Sequence, residues 1–294
     1  MGTVFGIPLV ETVALPFVAT LVLYAAFHRW HAGTERGLAG AAVVLGFLLA
    51  TVLVLGAPEL LPRLSYRKLF PIALLGLLIG AAADYGCVRL HRAVPAVIAF
   101  LWPGLIALWI GWPRLATGDH LDIYRVIGLW AGGALALGRL ERVRDEAARS
   151  LAPAAMLLAT SLGLGALGLY FGTATTGRLG FGQAAPLAAL MLWNWVAVMR
   201  NAQGADVVGQ SILLGAGGVV VALAAILLFY TSTNFLALLF LVPVFFSYKV
   251  FGAVPRGEGV VVRTLHPLVL FLASMVPVLM ITAVLYLFAT VTQA

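Results

Sequence analysis

Charge is what this sequence has least of. Of its 294 residues only 10% are Asp, Glu, Lys or Arg, while 63% are hydrophobic. A soluble globular domain carries about 25% charged and about 45–50% apolar residues. A water-soluble fold this apolar could not cover its surface with polar groups, and a mean hydropathy of +1.06 says the same. Lipid is therefore the expected solvent for most of the chain. Cysteine is nearly absent too: Cys87 stands alone, which excludes an intrachain disulfide and a cysteine-based metal cage. H-E-x-x-H, G-x-S-x-G, a P-loop and C-x-x-C are all missing. No stretch outside the apolar runs exceeds about 20 residues, so no soluble catalytic domain is expected. The opening MGTVFGIPLVETVALPF lacks the basic n-region of a signal peptide, so the first helix is expected to be retained.

What is present is a series of long apolar runs. In hydrocarbon every backbone N–H and C=O needs an internal partner, which only helices and closed barrels provide. Barrel strands alternate apolar and polar residues over about ten positions. Here the runs are continuous and about the 20 residues that a crossing helix needs; residues 207–229 are interrupted only by Gln210 and Ser211. The expected fold is all-α, a polytopic transmembrane bundle of about ten helices, at 5–27, 37–56, 69–86, 94–112, 123–139, 151–171, 182–199, 207–230, 234–251 and 267–290. The whole chain, 1–294, reads as one integral membrane domain. Its candidate halves are 1–138 and 151–294, joined by a polar cytoplasmic linker at 139–150.

Twelve of the 18 Lys and Arg residues fall in the odd-numbered connections and six in the even ones. Basic residues concentrate on the cytoplasmic side, so both termini are expected outside, in a multi-pass protein of a cell membrane, the bacterial inner membrane being the expected one. The net charge of +7 is this orientation signal, and no nucleic-acid partner is expected. Residues 58–69 carry Arg63, Arg67 and Lys68 against this trend and read as a short interfacial helix with snorkelling side chains. In 138–150, GRLERVRDEAARS, the pairs Glu141 with Arg144 and Arg142 with Glu146 suit a solvated helical extension.

Five helices per half is an odd number, so related halves would lie inverted in the membrane, as in many transporters. The fourth helix of each half carries a central proline, Pro103 in FLWPGLIAL and Pro243 in FLVPVFFSY, and a mid-helix proline frees a carbonyl and kinks the helix. Ten helices arranged five plus five, with those two prolines, resemble the layout of the drug/metabolite transporter superfamily. No motif of that family covers the chain, and members place both termini inside, opposite to the orientation expected here.

Ionisable groups inside a membrane cost about 2.5–3.5 kcal/mol each on insertion scales, so they are the first candidates for function. Glu11, in the first helix, could bind a proton or cation and couple it to a conformational change; an interfacial glutamate, or one paired with an arginine such as Arg125, is the plainer explanation. Asp84, followed by Arg89, His91 and Arg92, suits an ion pair at the interface. His28, His31, His91 and His266 fall on the expected cytoplasmic side, where isolated interfacial histidines explain them more simply than a metal site. Asp119, His120 and Asp122 read as a solvated loop. Trp193-Asn194-Trp195 offers an amide between indoles, as a cavity lining or as interhelical glue; Gln183, Gln210 and Ser211 are further polar groups in the bundle. The remaining tryptophans suit interfacial belts. Small-residue pairs at Gly76/Gly80, Gly128/Gly132 and Gly168/Gly172 permit close helix contact. Gly163, Gly165 and Gly168 match G-x-G-x-x-G but lie inside an apolar run with no βαβ context.

The candidate cavity residues are thus Glu11, Pro103, Trp193, Asn194, Gln210 and Pro243, with no catalytic, cofactor or metal site expected. The function expected first is a secondary carrier or permease for a small neutral or amphiphilic solute. The alternative is a non-catalytic membrane subunit or scaffold, and a lipid-modifying enzyme comes third. Partners are expected to be membrane lipids, with a membrane-protein partner or a second copy of the chain as further candidates.

Overall fold

The computed structural model describes residues 9–30, 35–59, 62–86, 93–118, 120–146, 151–199, 208–233, 235–248, 269, 271–280 and 283. Among them every regular element is helical. A single π-helical turn, Val10–Ala14, leads into α1 (Leu15–Trp30). Then come α2 (Glu35–Leu55), a 3-10 turn at Ser65–Lys68, α3 (Leu69–Gly86), α4 (Ala93–Leu115) and α5 (His120–Glu146). The second part holds α6 (Ala152–Phe171), α7 (Ala174–Met199), α8 (Gln210–Tyr230), the short α9 (Phe235–Leu239), a 3-10 turn at Val242–Phe246, and α10 (Phe271–Met280). Six described helical segments are long and apolar enough to cross a membrane: Val10–Arg29, Ser65–Asp84, Val94–Leu115, His120–Asp145, Ala152–Phe171 and Gln210–Tyr230. This is an integral membrane helical bundle.

The bundle is organised around α8. Its sequence, QSILLGAGGVVVALAAILLFY, is apolar on every side, and a helix without a polar face has to be buried all round. Side chains from Gln210 to Phe229 are buried with the sole exception of Ala224, and α2, α3, α4, α5, α6 and α7 all pack against it. The closest of these approaches is made by α3. A Cβ on Gly76 would sit 2.8 Å from the Leu214 carbonyl carbon, and one on Gly80 would sit 2.6 Å from the Ser211 nitrogen. The α6–α7 hairpin closes in the same way, with Gly165 and Gly168 against Gly180 and Gly177. In lipid, where chain tails are as apolar as leucine, such backbone contact supplies much of the packing energy. Gly163, Gly165 and Gly168 are thus packing positions in α6. The pair Gly128/Gly132 differs: a Cβ on Gly132 would meet nothing within 4 Å.

Two tryptophans bridge helices instead of forming a belt. Trp102 is buried and its Nε1 donates to the Leu214 carbonyl at 3.0 Å, while Trp130 Nε1 donates to the Phe100 carbonyl at 2.9 Å. The basic stretch before α3 also departs from the snorkelling expectation. Arg67 pairs with Glu59, but Lys68 is buried and its Nζ donates to the Trp109 carbonyl at 2.7 Å. That carbonyl lies four residues before Pro113, which has no N–H to offer it, so the lysine fills the acceptor left vacant by the proline. The seventh helix starts at Ala174, eight residues ahead of the expected 182, because its glycines and threonines mask the helical pattern.

Candidate functional site

The strongest polar constellation lies where α3 ends, α5 nears its end and α8 begins. The first N–H groups of a helix have no intrahelical acceptor, and the N-terminus carries partial positive charge. At α8 both needs are met by a carboxylate from another helix. Asp84 Oδ1 accepts from the Gln210 N–H at 2.7 Å and Oδ2 from the Ser211 N–H at 3.0 Å. The Gln210 side chain continues the chain of bonds, its Nε2 donating to Glu141 Oε1 at 3.0 Å. Glu141 in turn lies 3.7 Å from Arg144. Three helices are therefore tied at one end of the bundle by Asp84, Gln210 and Glu141.

Arg139 is also buried on this part of α5, at 7% exposure, and its Nε and Nη2 atoms have no hydrogen-bond partner among the described residues. Its guanidinium carbon stands 5.9 Å from the Phe246 ring centroid, in the 3-10 turn that follows α9. A buried guanidinium with unused donors is costly, since an unmet buried polar group costs about 1–3 kcal/mol and a charged one more. Arg139 and Glu141 correct the reading of this stretch as solvated: α5 runs unbroken to Glu146, and Arg139, Leu140, Glu141 and Val143 are all buried. The signal was present in the order Leu137, Leu140, Glu141, Arg144, which puts Glu141 on the apolar stripe at i, i+3, i+4, i+7.

The residues picked from the sequence are placed as follows. Gln210 belongs to the cluster just described. Glu11 is buried in the π-helical turn, which packs on α2 and α7; its suggested partner, Arg125, bonds Asp122 at 2.7 Å. Pro103 is buried inside a continuous α4, against Gly133 of α5. Trp193 is half-buried against Tyr24 and His28 of α1, with ring centroids 5.2 Å and 6.1 Å away. Asn194 is fully buried, and its Nδ2 donates to the Leu190 carbonyl one turn back on its own helix at 3.0 Å. Pro243 is exposed in the 3-10 turn Val242–Phe246, where the apolar helical segment Phe235–Phe246 tightens from α9 into 3-10 geometry. Their described contacts do not bring these six residues to one site. Gln183 is buried with its Nε2 on the Ala216 carbonyl at 3.4 Å and its Oε1 without a partner among the described residues.

Asp84 caps α8; Arg89, His91 and Arg92, the neighbours of its expected ion pair, lie outside the described residues, as do His31, His266, Cys87 and Asp119. Asp122, expected in a solvated loop, is buried in the first turn of α5.

No family model, no curated protein and no solved structure matches this chain. The functional reading rests on the geometry alone.

Proposed function

We propose that the protein is a secondary carrier or permease for a small neutral or amphiphilic solute. The observation that carries this reading is Arg139, a buried guanidinium with two nitrogens that have no partner among the described residues, beside a helical segment that tightens from α to 3-10 geometry. Irregular helical backbone and ionisable side chains at membrane depth are tolerated where they face protein or a cavity, and carriers build their solute sites there. Arg139 would donate to a carbonyl or hydroxyl of the solute, and Phe246 would take its apolar part. The Asp84–Gln210–Glu141 tie would close this end of the bundle and part when it opens. Glu11, in a π-helical turn of the kind often found at functional sites, is the candidate coupling group. This reading takes the chain as about ten spans in two inverted halves, 1–138 and 151–294, with both termini outside.

The test uses the full chain. Solutes that stabilise the detergent-solubilised protein against heat are carried forward to counterflow in proteoliposomes. A solute with an acceptor group and an apolar part is expected to stabilise the protein and to exchange. Arg139→Gln is expected to abolish both effects without lowering the melting temperature of the solute-free protein, because two of the replaced nitrogens have no partner among the described residues. Glu11→Gln is expected to keep binding and to flatten the pH dependence of uptake. If Arg139→Gln exchanges the solute as the parent does, the carrier reading of this site fails.

One observation favours the alternative, a non-catalytic subunit of a larger membrane complex: α8 fills the middle of the bundle along nearly its whole length. In that case no solute stabilises the protein, and a second membrane protein co-purifies at a fixed ratio.

A further inference from the structure

At the opposite end of the bundle, a cavity of about 460 Å³ opens between the end of α4, the first turns of α5 and the α8–α9 turn. Arg114 of α4 and Arg125 of α5 both line it, together with Thr231, Ser232 and Thr233. Leu228, Phe229 and Phe235 form its apolar side.

The donors that this cavity can offer follow from its hydrogen bonds. The Thr231 hydroxyl donates to the Leu227 carbonyl at 2.6 Å, and Ser232 Oγ donates to the Phe171 carbonyl at 3.0 Å. With the Thr231 proton committed, the 2.7 Å contact between Thr233 and Thr231 has Thr233 as the donor. All three hydroxyl protons are thus spent on holding the turn, and the free donors are the two guanidinium groups. Arg125 gives one nitrogen to Asp122, whose side chain is only 4% exposed, at 2.7 Å. Arg114 stacks its guanidinium 5.7 Å from the Tyr230 ring centroid, and among the described residues no carboxylate lies within ion-pair distance of it. Tyr230 is itself fixed by a 2.9 Å bond to the Ile110 carbonyl. Among the described residues one cation is therefore left without a counter-charge in the same cavity as a second cation.

We infer that this cavity binds a phosphate group, either the phosphodiester of an anionic lipid headgroup or a soluble phosphate. Guanidinium forks match phosphate oxygens in pairs, which a lysine ammonium does not. The apolar wall suits the start of an acyl chain, and the cavity's place at a bundle end puts it at headgroup level.

The test is binding to the full chain in a neutral detergent. Phosphatidylglycerol and phosphatidylcholine are counted as bound adducts by native mass spectrometry, and inorganic phosphate is titrated by thermal unfolding. Saturable phosphatidylglycerol binding that Arg114→Gln weakens about tenfold, and Arg114→Lys weakens less, supports the site with a lipid source. Saturable stabilisation by inorganic phosphate with the same order among the variants supports it with a soluble source. Arg114 is exposed, so both variants should keep the parent's helical content by circular dichroism. Equal binding of phosphatidylglycerol by parent and Arg114→Gln, with no inorganic phosphate effect, overturns the inference and leaves the two arginines as solvated interfacial side chains.

Discussion

Gly80→Ala is expected to destabilise the protein by about 3 kcal/mol, the upper part of the range for overpacking a tight interior. The added methyl would lie 2.6 Å from both the Gln210 carbonyl oxygen and the Ser211 nitrogen. Both are backbone atoms of α8, so neither can turn aside as a side chain would. The helices would have to move apart, but α8 is enclosed by α2, α4, α5, α6 and α7 as well as by α3. Movement on one side therefore disturbs the others. The intrinsic preference of a helix for alanine over glycine, about 1 kcal/mol, acts in the opposite direction. Gly132→Ala isolates that opposing effect, because nothing lies within 4 Å of the new methyl; it should be neutral or slightly stabilising. The comparison is made by thermal unfolding of the full-length protein in detergent, followed by loss of helical signal. If the two alanine variants melted together, the described α3–α8 contact would be wrong.

Asp84→Ala is expected to cost about 2–4 kcal/mol. Losing a helix N-cap costs about 0.5–2 kcal/mol, and a hydrogen bond to a charged group is worth about 1.5–3 kcal/mol. Asp84 supplies two such bonds to the first turn of a helix whose Gln210 and Ser211 are both buried. Asp84→Asn keeps one oxygen acceptor and should recover part of the loss. The effect should also couple to Glu141, because Gln210 touches both carboxylates, one through its backbone and one through its side chain. A double-mutant cycle with Glu141→Gln is expected to show non-additivity of about 0.5 kcal/mol or more. Strict additivity would mean that the three residues do not act as one tie.

Much of the scaffold was readable before any coordinates. The boundaries expected for α3, α4, α6 and α8 fall within a few residues of those observed, because apolar runs end where charge or glycine-rich turns begin. The seventh helix was read too short, since Ala174 to Gly182 holds glycines, threonines and Arg178 and carries little apolar signal. The ninth was read as one span, 234–251, around Pro243; its described part, Phe235–Phe246, is one apolar helical segment that passes from α to 3-10 geometry before the proline. The proline was a correct warning of irregularity, but its consequence depends on neighbours: Pro103 and Pro186 both sit inside helices that continue past them.

The candidate site was less legible. Gln210 was singled out, but as a polar residue in a span, without Asp84 or Glu141 as its partners. Asp84 and Gln210 are 126 positions apart, and nothing in the order of residues says that one carboxylate will meet another helix's first two N–H groups. Arg139 and Glu141 were hidden by composition, because a run of charges reads as solvated unless its apolar stripe is followed turn by turn.

By itself the sequence determined the helical class and the long apolar runs that call for lipid. Those properties depend on transfer free energy and on backbone hydrogen bonding, both of which are set by local composition. Only the tertiary structure decided which polar groups meet. The Asp84–Gln210–Glu141 tie, the Lys68 bond to the carbonyl freed by Pro113, and the two-arginine cavity each join residues from different helices. Such pairings are fixed by how rigid helices pack, through glycine contacts no wider than a backbone. That is a property of the assembled bundle and not of any one span.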